Sequence, residues 1–555
     1  MKPTPPSRSQ SAAGRPASRR RASAAQPDET ARTPVAAVST QLAQLYGARS
    51  LDPVWAMRLA DGAAPQSTVY VGDRMLVRGA PGRDLEAFTE LTTIADEIGV
   101  TVTRVPMPGT KGLPSDLHPD AARIVQEHWV EAVRLDPAKG SPSLPVDAWP
   151  VLRTVQDRAT SGLTLGLDHL LASAPAISGT PYWSGTPYWS GTPYWSGTPY
   201  WSGTPYWSGT PASEYGRTGI GGRQPVSVVL PDPARSAAPV ARRPVVAVPD
   251  TGLGTHPWFP RGGTATSQVR FAGTLLGLDG PMGRDFRRPV RNPLDPVIEP
   301  DAGHGTFISG IVRQLCPQAE ILAIPVMGSD GVVPESLLVN TLALLLARHV
   351  QALRTGATDG LLDVLSLSLG YYHEQPGDAA MDGPLGSLLR AYGEHGVAVV
   401  AAAGNATSLA PMYPAALAAQ VTGFARDRVP LASVGATNPD GETVAFFSNA
   451  GDWVSTHRPG SLLVSTFPTD VTASSQASAR VDYGGRTRTT PDPDDFSGGF
   501  CTWSGTSFAA PVLAGEIAAA IAADPDAATV DQAAAVARGR RAVFGAVTEW
   551  KKVPQ

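Results

Sequence analysis

Cysteine is almost missing from this chain of 555 residues: only Cys316 and Cys501 occur. Two cysteines exclude a disulfide scaffold and leave either one bond or two buried thiols. Long apolar runs are lacking as well. No stretch reaches the ~18 uninterrupted apolar residues that span a bilayer. Leu337–Val350 comes nearest, and Asn340, Arg348 and His349 break it. The N-terminus carries Arg19-Arg20-Arg21, but no apolar segment follows, so neither a secretory nor a twin-arginine signal is read there. Location stays open between the cytoplasm and export without a signal peptide. An excess of one charge is also lacking. A net charge of -4, from 45 Lys and Arg against 49 Asp and Glu, gives no reason to expect nucleic acid or a membrane as partner of the whole chain.

What is present divides the chain into four stretches. Residues 1–36 are basic, rich in Pro, Ser and Ala, and poor in large apolar side chains, the composition of a disordered tail. Residues 37–170 have the pattern of a small α+β domain. Thr68–Val71 and Arg74–Arg78 read as extended segments around a Gly72-Asp73 turn. Asp84–Ile98 has helical spacing and Val100–Val105 alternates like a strand. Ala121–Leu135 and Asp147–Ser161 read as further helices.

Residues 171–242 form a linker with an internal repeat. Ser-Gly-Thr-Pro recurs every six residues from 178 to 211, and Tyr-Trp fills each gap. Proline at that spacing excludes a regular helix. Identical copies point to a duplicated linker, with polysaccharide binding by the aromatic pairs as the alternative. Residues 243–555 read as α/β. Short apolar strands at Pro244–Val248, Ile321–Val326, Leu362–Leu369 and Val397–Ala402 alternate with helices at Gly305–Leu315, Pro334–Leu353 and Pro384–His395. Ser507–Ala523 is a last, Ala-rich helix. Such runs imply a mostly parallel sheet between two helical layers.

Three small-residue segments carry chemistry: Pro249-Asp250-Thr251-Gly252, Gly303-His304-Gly305-Thr306 and Gly505-Thr506-Ser507-Phe508-Ala509-Ala510-Pro511. A serine hydroxyl needs a base to take its proton, and a carboxylate to orient that base. Small neighbours let a substrate backbone come close. Asp-Thr-Gly also marks aspartic proteases, but those need two copies and this chain has one. Gly-x-Ser-x-Gly is absent at Ser507, against a lipase-like elbow. Cys501 lies near Ser507, with no motif of a nucleophile.

Together the segments resemble the subtilisin-like serine protease (subtilase) family, in the order Asp, His, Ser. Ser368-Leu369-Gly370 resembles that family's substrate-pairing strand. Ala402-Ala403-Gly404-Asn405 resembles its pocket wall and oxyanion asparagine. Phe447-Ser448-Asn449 and Pro459-Gly460 are also similar. The resemblance covers the chain from about Arg243 and implies a serine endopeptidase acting on proteins or peptides through an acyl-enzyme. It assigns Ser507 as nucleophile, His304 as base, Asp250 as its orienting partner and Asn405 as oxyanion donor. It also implies a precursor whose N-terminal region serves as prodomain and intramolecular inhibitor. An inactive, binding-only version of the fold is the competing class. Ala402, Ala403 and Gly404 imply an open pocket for large apolar side chains. Pro249 departs from the family pattern and implies an irregular strand end. No calcium loop is legible, so no cofactor is assigned and calcium stays open.

Overall fold

The computed structural model describes residues 40–79, 85–106, 116–140, 146–159, 164–173, 223–278, 290–292, 295–375, 383–420 and 425–552. The basic tail and the Tyr-Trp repeat lie outside the described residues.

The first unit contains α1 (Thr40–Tyr46), β1 (Ala48–Ser50), β2 (Val69–Arg78), α2 (Leu85–Glu97), β3 (Val100–Val105), α3 (Pro119–His128), β4 (Val130–Pro137), α4 (Ala148–Arg158) and β5 (Leu165–Ser173). Its sheet is antiparallel in the order β5-β2-β4-β3, with β1 beside the start of β2. Alternation gives the sheet two apolar faces. Met75, Val77, Val133 and Leu135 pack with Leu91 of α2 and Trp149 and Leu152 of α4. Leu76, Ala132 and Leu171, with α3, join the core of the second unit.

Two sequence expectations change here. Gly72-Asp73 makes no turn, and β2 runs straight through it. The Gly72 N–H donates to the Gly47 carbonyl, and the irregularity appears as a register shift against β5 between Tyr70 and Met75. The expected helix at Ala121–Leu135 ends at His128, and Val130–Pro137 is a strand. Val130, Ala132, Val133 and Leu135 are buried, and β4 fills the slot between β2 and β3, so sheet pairing wins over helical spacing.

The second unit is built on a seven-stranded parallel sheet. Its order is Thr456–Pro459, Ala432–Thr437, Ala398–Ala402, Val364–Leu367, β7 (Val245–Asp250), Glu320–Pro325 and β8 (Ala265–Thr266), where β6 (Gln224–Pro225) lies outside this sheet. Every residue of β7, Val364–Leu367, Ala398–Ala402 and Ala432–Thr437 is buried, as a parallel sheet covered on both faces requires. Helix α5 (His304–Leu315) packs on the helix Thr506–Ala522, and α6 (Glu335–Thr355) on the helix Pro384–Glu394. The α/β reading and its element order are therefore found, with ends displaced by a few residues. The polar stretch Pro468–Gly499 contains an exposed hairpin, Arg480–Tyr483 against Arg486–Thr489.

Helix α6 is long and apolar enough to cross a membrane by length and composition, but 83% of its apolar window is buried inside the protein. It lies between the two units. Asn340 on α6 accepts from the Val130 N–H and donates to the Val130 carbonyl, both at 2.9 Å, so a buried strand end is paired by a side chain. Described residues of the second unit begin at Arg223, ahead of Arg243. Strand β6 pairs with Phe500–Trp503. The fully buried Arg223 donates to the carbonyls of Ala302 at 2.6 Å and Glu299 at 2.8 Å.

Candidate active site

Asp250 ends β7, and Pro249 does not disturb that end: the register against Glu320–Pro325 is unbroken through Asp250. The Asp250 carboxylate accepts from the Thr251 N–H at 2.7 Å and lies 2.8 and 3.0 Å from His304 Nδ1. His304 opens α5 after Gly303 at φ +83, a left-handed position suited to glycine. The next residue must be small too. A Cβ on Gly305 would collide with the Gly252 carbonyl, while the Gly305 N–H donates to Thr251 Oγ1 at 2.9 Å. The aspartate loop and the histidine helix thus meet backbone to backbone. Trp503 and Phe508 flank the imidazole, with ring centroids 5.4 and 5.2 Å away. The Arg223 guanidinium lies over the Trp503 ring, 4.7 Å from its centroid.

Ser507 stands in the first turn of the helix Thr506–Ala522, where backbone N–H groups have no helical acceptor. Its hydroxyl donates to the Ser368 carbonyl at 3.4 Å, and Ser368 Oγ donates to the Ser507 carbonyl at 2.8 Å. Asn405 lies against this turn: its Oδ1 accepts from the Thr506 N–H at 2.8 Å and the Thr506 hydroxyl at 2.9 Å. The structure therefore brings Asp250 to His304, Ser507 to Ser368, and Asn405 to the helix N-terminus that carries Ser507. Ala402 ends its strand, Ala403 pairs with the Val434 carbonyl, and Gly404 turns away at φ +100.

Cys316 and Cys501 are free and buried. Burial pushes the Cys316 thiol up to about 11 and that of Cys501 higher still, which leaves both unreactive.

Leu369–Gly370 does not face an empty cleft. Strand β5 lies between it and the Val332–Pro334 strand, antiparallel to both. Ala172 and Ser173 pair with Gly370 and Leu369, and Leu170–Ala172 with Pro334–Val332. The Ser173 N–H donates to the Gly331 carbonyl at 2.8 Å. Two charged residues of β5 complete the docking. Asp168 accepts from the Ser336 N–H and hydroxyl, both at 3.0 Å, at the positive end of α6. His169 places Nδ1 2.6 Å from Glu335 and Nε2 2.7 Å from Glu374. His169, His373 and Glu374 have metal-like spacing. Both His169 nitrogens, however, face carboxylates, the arrangement of an imidazolium in an ion pair.

Sequence reasoning missed β5, Glu335 and Glu374. The signal was an Asp-His pair inside the otherwise apolar run Leu165–Ala172.

A parallel sheet with an Asp–His pair, and a serine at a helix N-terminus beside an asparagine, defines the serine-hydrolase class. The family model described as "Subtilase family" (Peptidase_S8) matches residues 241–540, over half of the chain. The chain belongs to that family and is a serine-type endopeptidase. It is 29% identical over 240 residues to thermitase of Thermoactinomyces vulgaris, covering 41% of this chain and 67% of that one. Among solved structures, fervidolysin of Fervidobacterium pennivorans, a keratinolytic enzyme related to subtilisin, is 18% identical. That match covers 81% of this chain and 55% of its own, with a TM-score of 0.42. A cold-adapted subtilisin-like serine proteinase is 20% identical, covering 55% of this chain and 82% of its own, with a TM-score of 0.30.

Titration of the docking charges gives a pH dependence. Burial disfavours the charged His169 ring, but Glu374 and Glu335 outweigh it and raise its pKa to about 10. That contribution is complete below about 6.5, the free value, and lost as pH rises through 10. Burial also opposes ionisation of Glu374, yet His373 and His169 hold its pKa at about 2, so its contribution is lost only in strong acid. Burial raises the Asp168 pKa to about 6, against the Ser336 hydrogen bonds, so the stability linked to its protonated form is lost as pH rises from about 3.8 to 6, below the range in which His169 titrates. In the Ser507→Ala chain, thermal stability of the docked first unit should fall between pH 7 and 10, and His169→Gln should flatten that fall. Equal slopes with and without His169→Gln contradict this origin.

Proposed function

We propose that the chain is a self-restrained subtilase precursor, with Ser507 as nucleophile and the first unit as its intramolecular inhibitor. Ser507 attacks the scissile carbonyl. His304 takes the hydroxyl proton and returns it to the leaving amine, and Asp250 fixes the imidazole's tautomer and stabilises its protonated form. The tetrahedral oxyanion is held by the Ser507 N–H at the helix N-terminus and by the Asn405 amide NH₂. The two Thr506 hydrogen bonds to Asn405 Oδ1 support that amide orientation. Water then hydrolyses the acyl-enzyme by the same route.

The observation that carries the proposal is β5 seated between Leu369–Gly370 and Val332–Pro334. A substrate that adds a strand to a protease uses the same backbone hydrogen bonds. While β5 holds them, no substrate can. Its route out of the cleft leads into residues 174–222, and Arg223 is buried in the second unit. The cut that separates the units therefore belongs in 174–222, before Arg223.

The pocket reading shifts toward small side chains. A Cβ on Gly370 would stand 2.6 Å from Met412 Cε, and one on Gly404 2.5 Å from Met412 Sδ. The Met412 thioether thus fills the space that the small wall residues would leave open for a large apolar group.

Two experiments test this reading. The wild-type chain should convert to a form whose N-terminus lies within 174–223, and Ser507→Ala should stay intact. Conversion of Ser507→Ala at the wild-type rate, or a first cut beyond Arg223, contradicts self-processing. Processed wild type should favour Ala over Phe at the residue before the cut, and Met412→Ala should raise the Phe/Ala ratio of kcat/KM at least ~10-fold, about the value of a few buried methylenes. A ratio unchanged in Met412→Ala removes Met412 from the pocket.

A further inference from the structure

The ion pair at His169 lies in the path of the substrate strand. Opposite residues in the β5 pairing are Ser173 with Leu369 and Ala172 with Gly370. A substrate in the same register places the residue facing Ser368 beside Ser507, since Ser507 Oγ bonds the Ser368 carbonyl. His169 is three residues before Ala172. It therefore stands where that substrate carries its sixth residue on the N-terminal side of the cut.

The partners of His169 belong to the protease. Glu335 opens α6, directly after the Val332–Pro334 strand, and Glu374 follows the Leu369–Gly370 strand by four residues. The two cleft edges each end in one carboxylate, and the imidazole bridges them at 2.6 and 2.7 Å. All three side chains are no more than 5% exposed. The Tyr371 ring lies 4.5 Å from the imidazole, tilted by 32°, an apolar floor on which a flat cation can rest. His373 is close, but its Nδ1 accepts from the Gln375 N–H at 2.9 Å and stands 3.6 Å from Glu374, so it makes no short hydrogen bond there.

When β5 leaves, two carboxylates face each other across the vacated position. Like charges that share one site favour any cation that bridges them. An arginine presents several donors in one plane and can reach both carboxylates while stacking on Tyr371. Lysine offers three donors without the stacking.

We propose that Glu335 and Glu374 form a cation-selecting subsite of the processed enzyme, which recognises a basic side chain at the sixth residue before the cut. The first unit holds this subsite with His169 as a stand-in for that substrate residue. The proposal rests on β5 occupying the substrate path.

The test uses processed wild-type enzyme and peptides identical except for Arg, Lys, Ala or Glu at that sixth position. Expected is a kcat/KM for the Arg peptide at least ~10-fold above the Ala peptide, the scale of one buried charge-assisted hydrogen bond, with the Glu peptide below Ala. Glu374→Gln and Glu335→Gln should each bring the Arg/Ala ratio toward one. Equal rates for Arg, Ala and Glu peptides in wild type overturn the proposal, and so does a preference that survives both substitutions. Stimulation by an added divalent ion without any side-chain preference assigns the carboxylates to a metal instead and also overturns it. A short reporter of four residues, too short to reach the subsite, separates this from the underlying reading. If the intact chain, before any cut in 174–222, hydrolyses that reporter as fast as the processed chain, β5 does not fill the cleft and both readings fall. If the intact chain is inert and the processed chain shows no preference, only the subsite falls.

Discussion

The backbone hydrogen bonds of β5 are the constraint on which the rest of this molecule depends. Two strand edges, at Val332–Pro334 and Leu369–Gly370, flank β5, and they are the edges proposed to receive substrate. Unpaired, buried N–H and C=O groups are costly, and exposed edges invite the wrong partners. Strand β5 satisfies both edges at once with residues of the same chain. Its docking is extended by side chains on either side of the cleft. Asn340 closes the start of β4, Asp168 caps α6, and His169 joins Glu335 to Glu374.

Behind β5 the proposed catalytic residues are fixed by close backbone approach. The parallel sheet brings Asp250, Ser368 and the Ala402–Asn405 turn to one edge, because parallel strands all end on the same side. Glycine then sets the fine spacing. Gly305 lets the histidine helix reach the aspartate loop, and the Gly505 N–H donates to the Gly460 carbonyl at 2.7 Å just before Ser507. Trp503 and Phe508 flank the imidazole beside the aspartate, and Arg223 lies over the Trp503 ring. Arg223, β6 and Arg242 therefore attach to the second unit, although their sequence reads as linker.

Much of the second unit was legible. Buried parallel strands such as Ala398–Ala402 are nearly pure apolar runs, and the site motifs are local. Residues that must touch backbone have to be Gly, Ala, Ser or Thr, and that leaves a mark in sequence. The first unit was harder to read. Ala121–Leu135 keeps helical spacing past His128, and only the slot between β2 and β3 makes Val130–Pro137 a strand. Strand β5 has polar residues in mid-run because its partners, Ser336, Glu335 and Glu374, lie far along the chain. The closeness of Met412 to Gly370 and Gly404 left no mark in the sequence, since no local pattern ties these residues together.

The central claim is that one chain carries a formed nucleophile and the strand that covers it. Fluorophosphonate labelling of Ser507, timed on the intact chain and on the processed chain, tests it most directly. The account predicts slow labelling before the cut, fast labelling after it, and none in Ser507→Ala. Equally fast labelling of the intact and processed chains would show that β5 does not restrain the site.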